Sequence, residues 1–174
     1  LHTQKDHDLV VTNCYAQMLN DSANKDFERV KTTYKTLPKK YRNNDSLFCQ
    51  YAKLCLKFEN SSLIEKELFQ RLSKNCHSDI LSVINECDSK YAANWLERLI
   101  LLNRHHQDVA FIDTIVTLGL LDRQWKLAKE WLLKSIEIMP TAQRYEALAK
   151  AQQQLGEDSG ALDSFNKALH LRNV

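Results

Sequence analysis

The chain has 174 residues, of which 44% are apolar, only three are glycine and two are proline. This composition favours a nearly all-helical domain with short turns, and the length is sufficient for a continuous core. The formal net charge of +2 is too small to identify a polyanionic partner, and no apolar run approaches the length of a membrane-spanning helix. The sequence has no signal peptide. Because the first residue is Leu1 rather than Met, we expect a fragment of a longer protein.

The cysteines are odd in number and show no CxxC spacing; they are Cys14, Cys49, Cys55, Cys76 and Cys87. Disulfide scaffolds and zinc sites require paired or clustered thiols. We therefore expect a reducing compartment, buried and unreactive thiols, and no metal site.

Apolar residues at helical spacing predict a first helix over residues 6–20, marked by Leu9, Val10, Cys14, Met18 and Leu19. A turn is predicted at residues 20–22 and a second helix over 26–36. Leu37-Pro38 ends that helix, because proline cannot continue it and the preceding residue is forced into an extended conformation.

A third helix is predicted from Asp45 and a fourth after the turn at residues 60–62, and together they form a hairpin. The next segment contains a short helix over 79–86 and a longer one over 89–103. Neither has small residues at a regular spacing, so residues 78–106 are interpreted as an irregular hairpin.

The C-terminal part repeats itself with a shift of 33 residues, since Ala128, Leu132 and Ser135 correspond to Ala161, Phe165 and Ala168. A period near 34 residues, with small residues where helices cross, is typical of tetratricopeptide (TPR) repeats. The structural positions of the two repeats are Trp125, Ala128, Leu132, Pro140, Tyr145, Leu148, Ala161, Phe165 and Ala168. Gly156 suits a left-handed helix end, and Asp158 or Ser159 is predicted to cap the last helix.

These patterns predict an all-α, TPR-like right-handed solenoid of about five antiparallel helical hairpins over residues 1–174. Residues 1–77 form N-terminal hairpins with a degenerate repeat, because Ile64 replaces the expected alanine. Residues 78–106 join them to two clear repeats over 107–174.

The first helix of each TPR pair lines the inner surface of the stack, where partners bind. The template places Cys49, Lys53, Leu56, Lys57, Asp113, Thr117, Leu120, Leu121, Gln143, Glu146, Lys150, Gln153 and Gln154 on that surface. The candidate partner-binding residues are Lys53, Lys57, Asp113, Thr117, Glu146, Lys150 and Gln153. The lysines can meet carboxylates of peptide termini, acidic side chains or porphyrin propionates.

The segment from Lys25 to Lys57 contains nine Lys or Arg residues and three acidic residues, a local excess of six positive charges. A solvated basic face, an anionic membrane surface and an acidic partner segment are all compatible with this excess. Nucleic acid is disfavoured because the chain has no aromatic–basic motif of a known nucleic-acid reader.

Two short motifs contain side chains that can bind a metal or react. His105-His106 at a predicted turn can offer imidazoles to haem iron, but a plain exposed turn is the favoured explanation of the pair. Cys76-His77 can form an activated thiol but has no evident third orienting group. Since no catalytic triad order, metalloprotease motif or phosphate-binding loop is present, we predict a protein without enzymatic activity or cofactor.

Several segments of the chain form a characteristic series. The segment from Tyr34 to Arg42 has an aromatic–x–x–Leu–Pro–x–x–x–Arg pattern. It is followed by Tyr51-Ala52, Ile115-Val116-x-Leu118, Trp125-x-x-Ala128-x-x-x-Leu132, Pro140-Thr141, and Tyr145 with Leu155-Gly156 and Ala161-Leu162. Together these segments resemble HemY-type TPR proteins, a proteobacterial family linked to late haem biosynthesis. The sequence departs from the family at Val116, where glycine is usual.

The resemblance implies a domain on the cytoplasmic side of the bacterial inner membrane, attached to membrane helices that lie outside this sequence. It further implies a non-catalytic scaffold that organises haem-pathway enzymes or their tetrapyrrole products. The alternative is a protein that itself binds porphyrin or haem in its concave groove.

Overall fold

A computed structural model describes residues 2–102 and 107–173, with the side chains of residues 2–5 left out of the description. The described residues form eleven α-helices and one 3-10 turn at Ser61–Leu63, without a strand, so the predicted all-α class is confirmed. The chain divides into two compact units, Leu1–Glu86 and Cys87–Val174. Each unit is described separately.

The first unit is built around α4, which packs against α1, α2, α3 and α6. Its helices are α1 (His2–Ala23), α2 (Phe27–Thr36), α3 (Lys39–Arg42), α4 (Asp45–Lys57), α5 (Glu65–Lys74) and α6 (Ser78–Asn85). Phe48 and Ala52 of α4 are fully buried, and Tyr51 stacks on Tyr34 of α2 with ring centroids 3.9 Å apart. Aromatic stacking and apolar burial therefore hold α2 against α4.

Helix α1 is longer than predicted, and the turn expected at residues 20–22 is wrong. The helix continues to Ala23 because its polar C-terminal residues are satisfied within helical geometry. The Ser22 hydroxyl donates to the Met18 carbonyl at 2.8 Å and also lies 2.8 Å from the Thr33 hydroxyl. The chain turns only before Asp26, whose carboxylate accepts from the Arg29 amide and caps α2.

The apolar side chains that predicted α1 do not form its packed face. Leu9, Val10 and Met18 are exposed, Cys14 is also exposed, and only Leu19 of the predicted set is buried. The helix packs instead through other residues, among them Tyr15, whose ring meets Tyr41 edge-on at 4.9 Å.

The segment after Pro38 forms a one-turn helix, α3, that the sequence analysis did not predict. Its C-terminal carbonyls are held from two sides. The Tyr34 hydroxyl donates to the Arg42 carbonyl at 3.1 Å, and the Arg71 guanidinium donates to the same carbonyl at 2.9 Å and to that of Asn43 at 3.1 Å. Burial also raises the pKa of Tyr34 to about 12, so this phenol remains a donor at neutral pH.

The second unit is a series of helices in which each packs on the next along the chain. They are α7 (Ser89–Ile100), α8 (Val109–Leu121), α9 (Trp125–Ile138), α10 (Ala142–Gln154) and α11 (Asp158–Arg172). The two helices of the predicted irregular hairpin, α6 and α7, fall in different units.

The helix crossings of the second unit use small residues, as the 33-residue spacing predicts. Ala128 and Ala161 are buried, with exposed fractions of 0% and 5%, so their predicted burial is confirmed. A Cβ atom added to Gly119 would lie 3.4 Å from the Ala128 Cβ. Helices α8 and α9 are therefore in close contact at Gly119 and Ala128.

The α10–α11 turn confirms one local prediction and corrects another. Gly156 has a φ of +75°, in the left-handed region that favours glycine. The predicted capping by Asp158 or Ser159 is wrong, because Asp158 is already the first helical residue and the N-cap is Glu157, whose side chain makes no capping bond. The Glu157 carboxylate instead pairs with Lys129 at 2.6 Å.

Candidate functional site

A groove of about 330 Å³ lies between α8 and α10 in the second unit. It is lined by Asp113, Val116, Thr117, Leu120, Leu132, Met139, Thr141, Gln143, Arg144 and Ala147. Two of these, Asp113 and Thr117, are among the predicted partner-binding residues. Both arise from the first helix of a repeat, the position from which the TPR template predicts binding residues.

The floor of this groove is an ion pair between neighbouring repeats. Arg144 of α10 is 9% exposed, and its guanidinium binds both carboxylate oxygens of Asp113, with Nε–Oδ1 at 3.1 Å and Nη2–Oδ2 at 2.6 Å. The Ser135 hydroxyl donates to Oδ1 of Asp113 at 2.6 Å, and Nη1 of Arg144 donates to the Met139 carbonyl. A bidentate pair with these extra bonds fixes α8, α9 and α10 in one arrangement.

The walls of the groove are apolar or neutral. Met139 is 47% exposed and Leu120 is partly exposed, while Thr117 and Gln143 are open to solvent. The Thr117 hydroxyl donates to the Asp113 carbonyl within α8 at 2.8 Å. Since the charges of the floor are mutually paired, the groove suits a neutral chain that brings apolar side chains and amide groups.

A second groove, of about 320 Å³, lies between α10 and α11. It contains two further predicted residues, Glu146 and Lys150, together with Phe165, Ala168, Leu169 and Arg172. Arg172 pairs with Glu146 at 2.5 Å, and Lys150 is exposed. Gln153, the last predicted residue of α10, is exposed and lines neither groove.

The predicted binding residues of the first unit, Lys53 and Lys57, both lie on α4. Lys53 is engaged by Glu86 at 2.5 Å and by the Ser82 hydroxyl at 3.1 Å, so its charge is already matched within α4 and α6. Lys57 is exposed. Cys49, which the template placed on the inner surface, is 4% exposed and belongs to the core. The template's placement of Cys49 on the inner surface is therefore wrong.

The first unit has a cavity that the sequence analysis missed. It measures about 620 Å³ and lies beside α5, lined by Asn43, Asp45, Leu63, Lys66, Glu67, Gln70, Arg71, Lys74 and Asn75. Arg71 bridges Asp45 at 2.6 Å and Glu67 at 2.5 Å, and it lies over the Phe48 ring at 4.3 Å. The Glu67–Arg71 spacing of four residues was the available sequence signal. These bonds assign Arg71 to holding α3, α4 and α5 together.

Part of the basic stretch over 25–57 is neutralised by nearby carboxylates. Lys31 pairs with Glu28, and Lys53 pairs with Glu86. Lys40 donates to both carboxylate oxygens of Asp8 at 2.7 and 2.6 Å. That hydrogen bond lowers the pKa of Asp8 and raises the pKa of Lys40, because it favours the charged form of each group.

The exposed basic residues of the stretch are distributed over the α1–α2 turn, α2, α3 and α4, and they include Lys25, Arg29, Lys35, Lys39 and Lys57. The local excess of charge available to a partner is therefore smaller than the sequence count.

The five cysteines are free thiols. Burial raises the pKa of Cys49 to about 12 and that of Cys55 to about 11, which suppresses the thiolate at neutral pH. The expectation of buried thiols is wrong for Cys14, which is exposed on α1.

Of the two motifs that contain histidine, Cys76-His77 lies within the described residues. His77 acts as the N-cap of α6, its Nδ1 accepting from the Asp79 amide at 3.4 Å. The pair His105-His106 lies outside the described residues. Within residues 2–102 and 107–173, His, Cys, Asp and Glu side chains form no group of three or more suited to bind a metal ion.

None of the helices in the described part of the chain is both long and apolar enough to span a bilayer. Comparison of the chain with protein-family models, with curated proteins and with solved structures gives no significant match.

Proposed function

We propose that this chain is a non-catalytic binding scaffold, a TPR-like right-handed solenoid of about five helical hairpins. We assign partner binding to the groove between α8 and α10. The observation that carries the proposal is the Asp113–Arg144 pair, which joins the first helices of two successive repeats and holds the groove in one shape. A groove that is formed before the partner arrives lowers the entropic cost of binding.

The chemistry of the groove favours a peptide segment over a highly charged ligand. The Arg144 guanidinium that lines it is bound by Asp113 and the Met139 carbonyl. Thr117 and Gln143 offer polar groups along the rim, and Leu120 and Met139 offer apolar contact. A short apolar and amide-containing segment of a protein partner matches these groups.

By its resemblance to HemY-type TPR proteins, we propose that the partners are haem-pathway enzymes at the cytoplasmic face of the bacterial inner membrane. The motifs that support this part of the proposal are the Leu37-Pro38 segment and the order of the C-terminal repeats. The pull-down described next tests the partner class, and the vesicle experiment tests the membrane location.

The groove is tested by filling it. Thr117 is exposed at the rim, so Thr117→Trp should leave the fold intact and block the groove. We expect that variant to lose partners that the unaltered chain captures from membranes of the source organism, as measured by quantitative mass spectrometry. Lys126→Trp, at an exposed position of α9 outside the groove lining, is the matched control and should retain them.

Two results would contradict this assignment. One is an identical set of partners for Thr117→Trp and the unaltered chain. The other is a stoichiometric shift of the Soret band on titration with haem, abolished by Thr117→Trp, which would assign the groove to a tetrapyrrole instead.

For the basic stretch we propose weak attraction to an anionic membrane surface. Arg29 and Lys39 are exposed, and each cation near an anionic leaflet contributes about 1 kcal/mol before screening. We expect co-sedimentation with anionic but not neutral vesicles at low salt, strongly reduced by Arg29→Glu/Lys39→Glu. Lys66→Glu/Lys74→Glu, a double charge reversal elsewhere in the first unit, is the control. Absence of binding to anionic vesicles at low salt would disprove the attraction.

A further inference from the structure

Helix α11 exposes an apolar stripe that its counterpart in the preceding repeat keeps covered. Leu169 is 58% exposed, whereas Ile136, the residue 33 positions earlier in α9, is only 9% exposed. Phe165 is partly exposed, whereas its counterpart Leu132 is 1% exposed. Helix α9 is covered because α10 packs on it.

The groove between α10 and α11 repeats the surface on which α10 lies. Its residues Glu146, Lys150, Phe165, Ala168, Leu169 and Arg172 correspond, at a shift of 33, to Asp113, Thr117, Leu132, Ser135, Ile136 and Met139. In that earlier set, Asp113 and the Met139 carbonyl are bound by Arg144 of α10. The internal repeat therefore indicates that one further helix fits the α10–α11 groove. This helix would pack on α11 as α10 packs on α9.

The charges of the α10–α11 groove differ from those of its counterpart and limit which helix fits. Arg172 takes the place of Met139 and pairs with Glu146 at 2.5 Å. An incoming helix therefore needs no arginine equivalent to Arg144. Lys150 takes the place of Thr117 and is exposed, so a carboxylate on the incoming helix would be matched there.

We propose that the groove between α10 and α11 is the docking site for an amphipathic helix of a partner protein, apolar on the side facing Phe165 and Leu169 and carrying an acidic residue beside Lys150. This site is separate from the α8–α10 groove of the proposed function and stands independently of it. The recognition is that of an amphipathic helix whose apolar face lies in a hydrophobic groove.

The test uses a fluorescent peptide that copies residues 140–155 with Gln143→Glu and Arg144→Leu. The first change supplies the carboxylate, and the second removes a cation that would meet Arg172. We expect saturable binding to the whole chain by fluorescence anisotropy, and none by a scrambled peptide of equal composition. Leu169→Glu should weaken binding by about tenfold or more. Leu133→Glu, at a 45% exposed position of α9, is the matched control and should bind normally.

A charge exchange tests the acidic requirement separately. Lys150→Glu should weaken binding of the acidic peptide, and a peptide with lysine at the same place should bind Lys150→Glu better than it binds the unaltered chain. Thr117→Trp should leave all of these affinities unchanged, which separates this site from the α8–α10 groove.

Three outcomes would overturn the proposal. They are no saturable binding by the peptide, equal binding by the Leu169→Glu and Leu133→Glu variants, and self-association of the chain that Leu169→Glu abolishes in sedimentation velocity. The last would assign the α11 face to a contact between copies of this chain. Far-ultraviolet dichroism of Leu169→Glu establishes that the variant is folded, as expected for an exposed position.

Discussion

Arg144→Ala is expected to lower the free energy of unfolding of the second unit by about 2–4 kcal/mol. The change removes the bidentate contact to Asp113 and the bond to the Met139 carbonyl. It leaves the Asp113 carboxylate with the Ser135 hydroxyl but without a cation. Breaking a buried pair costs most when the remaining charge stays buried, and the Asp113 side chain is 39% exposed, so we expect the lower part of the usual range for buried pairs.

The measurement is urea unfolding followed by dichroism, with Arg172→Ala as the control. Arg172 also bridges two helices through a carboxylate, but its side chain is 58% exposed. An exposed pair is worth about 0–1 kcal/mol, so this control should unfold almost as the unaltered chain does. If both variants lose equal stability, the Asp113–Arg144 pair is not the element that fixes the repeats. A double-mutant cycle with Asp113→Ala gives the coupling directly.

The 33-residue spacing was sufficient to predict the helical hairpins α8–α9 and α10–α11 and the burial of Ala128 and Ala161. This success has a local cause, because a small residue at a helix crossing is needed wherever two helices of one hairpin approach closely. The left-handed Gly156 is equally local, since only glycine adopts that conformation without cost.

The details that were not predicted depend on contacts between residues distant in sequence. Helix α1 has apolar residues on two sides, and the spacing of Leu9, Val10 and Met18 does not reveal that the side containing Leu19 is the buried one. Contacts with residues of α2, α3 and α4 determine which side of α1 is buried. Extension of α1 to Ala23 depends in the same way on Thr33, eleven residues after Ser22.

In the candidate site, too, the residues that were predicted follow from the local repeat, and those that were not depend on contacts distant in sequence. Asp113 and Thr117 were predicted from their place in the repeat, and both line the α8–α10 groove. Arg144 was not predicted, because nothing local distinguishes it from the other arginines. Its role depends on a carboxylate 31 residues earlier in the sequence. The template likewise assigned an unpaired charge to Lys53, which Glu86 at the C-terminal end of α6 neutralises.

The crossing of α8 and α9 leaves no room for a larger side chain at Ala128, which is fully buried. A Cβ at Gly119 would already lie 3.4 Å from the Ala128 Cβ and 3.4 Å from a methyl group of Leu127. A leucine side chain, with three added carbons, must therefore push α8 away from α9 or adopt a strained rotamer, because a close-packed protein interior can deform only slightly.

Ala128→Leu is accordingly expected to cost about 2–3 kcal/mol or more by overpacking, and Ala161→Leu a similar amount at the α10–α11 crossing. Thermal and urea unfolding measure the loss. Lys126→Leu introduces the same side chain at an exposed position of the same helix and should change stability by less than about 0.5 kcal/mol. Unchanged stability in Ala128→Leu would show that the two helices do not approach as closely as the position of Gly119 requires, and the assigned register of the repeat would then be wrong.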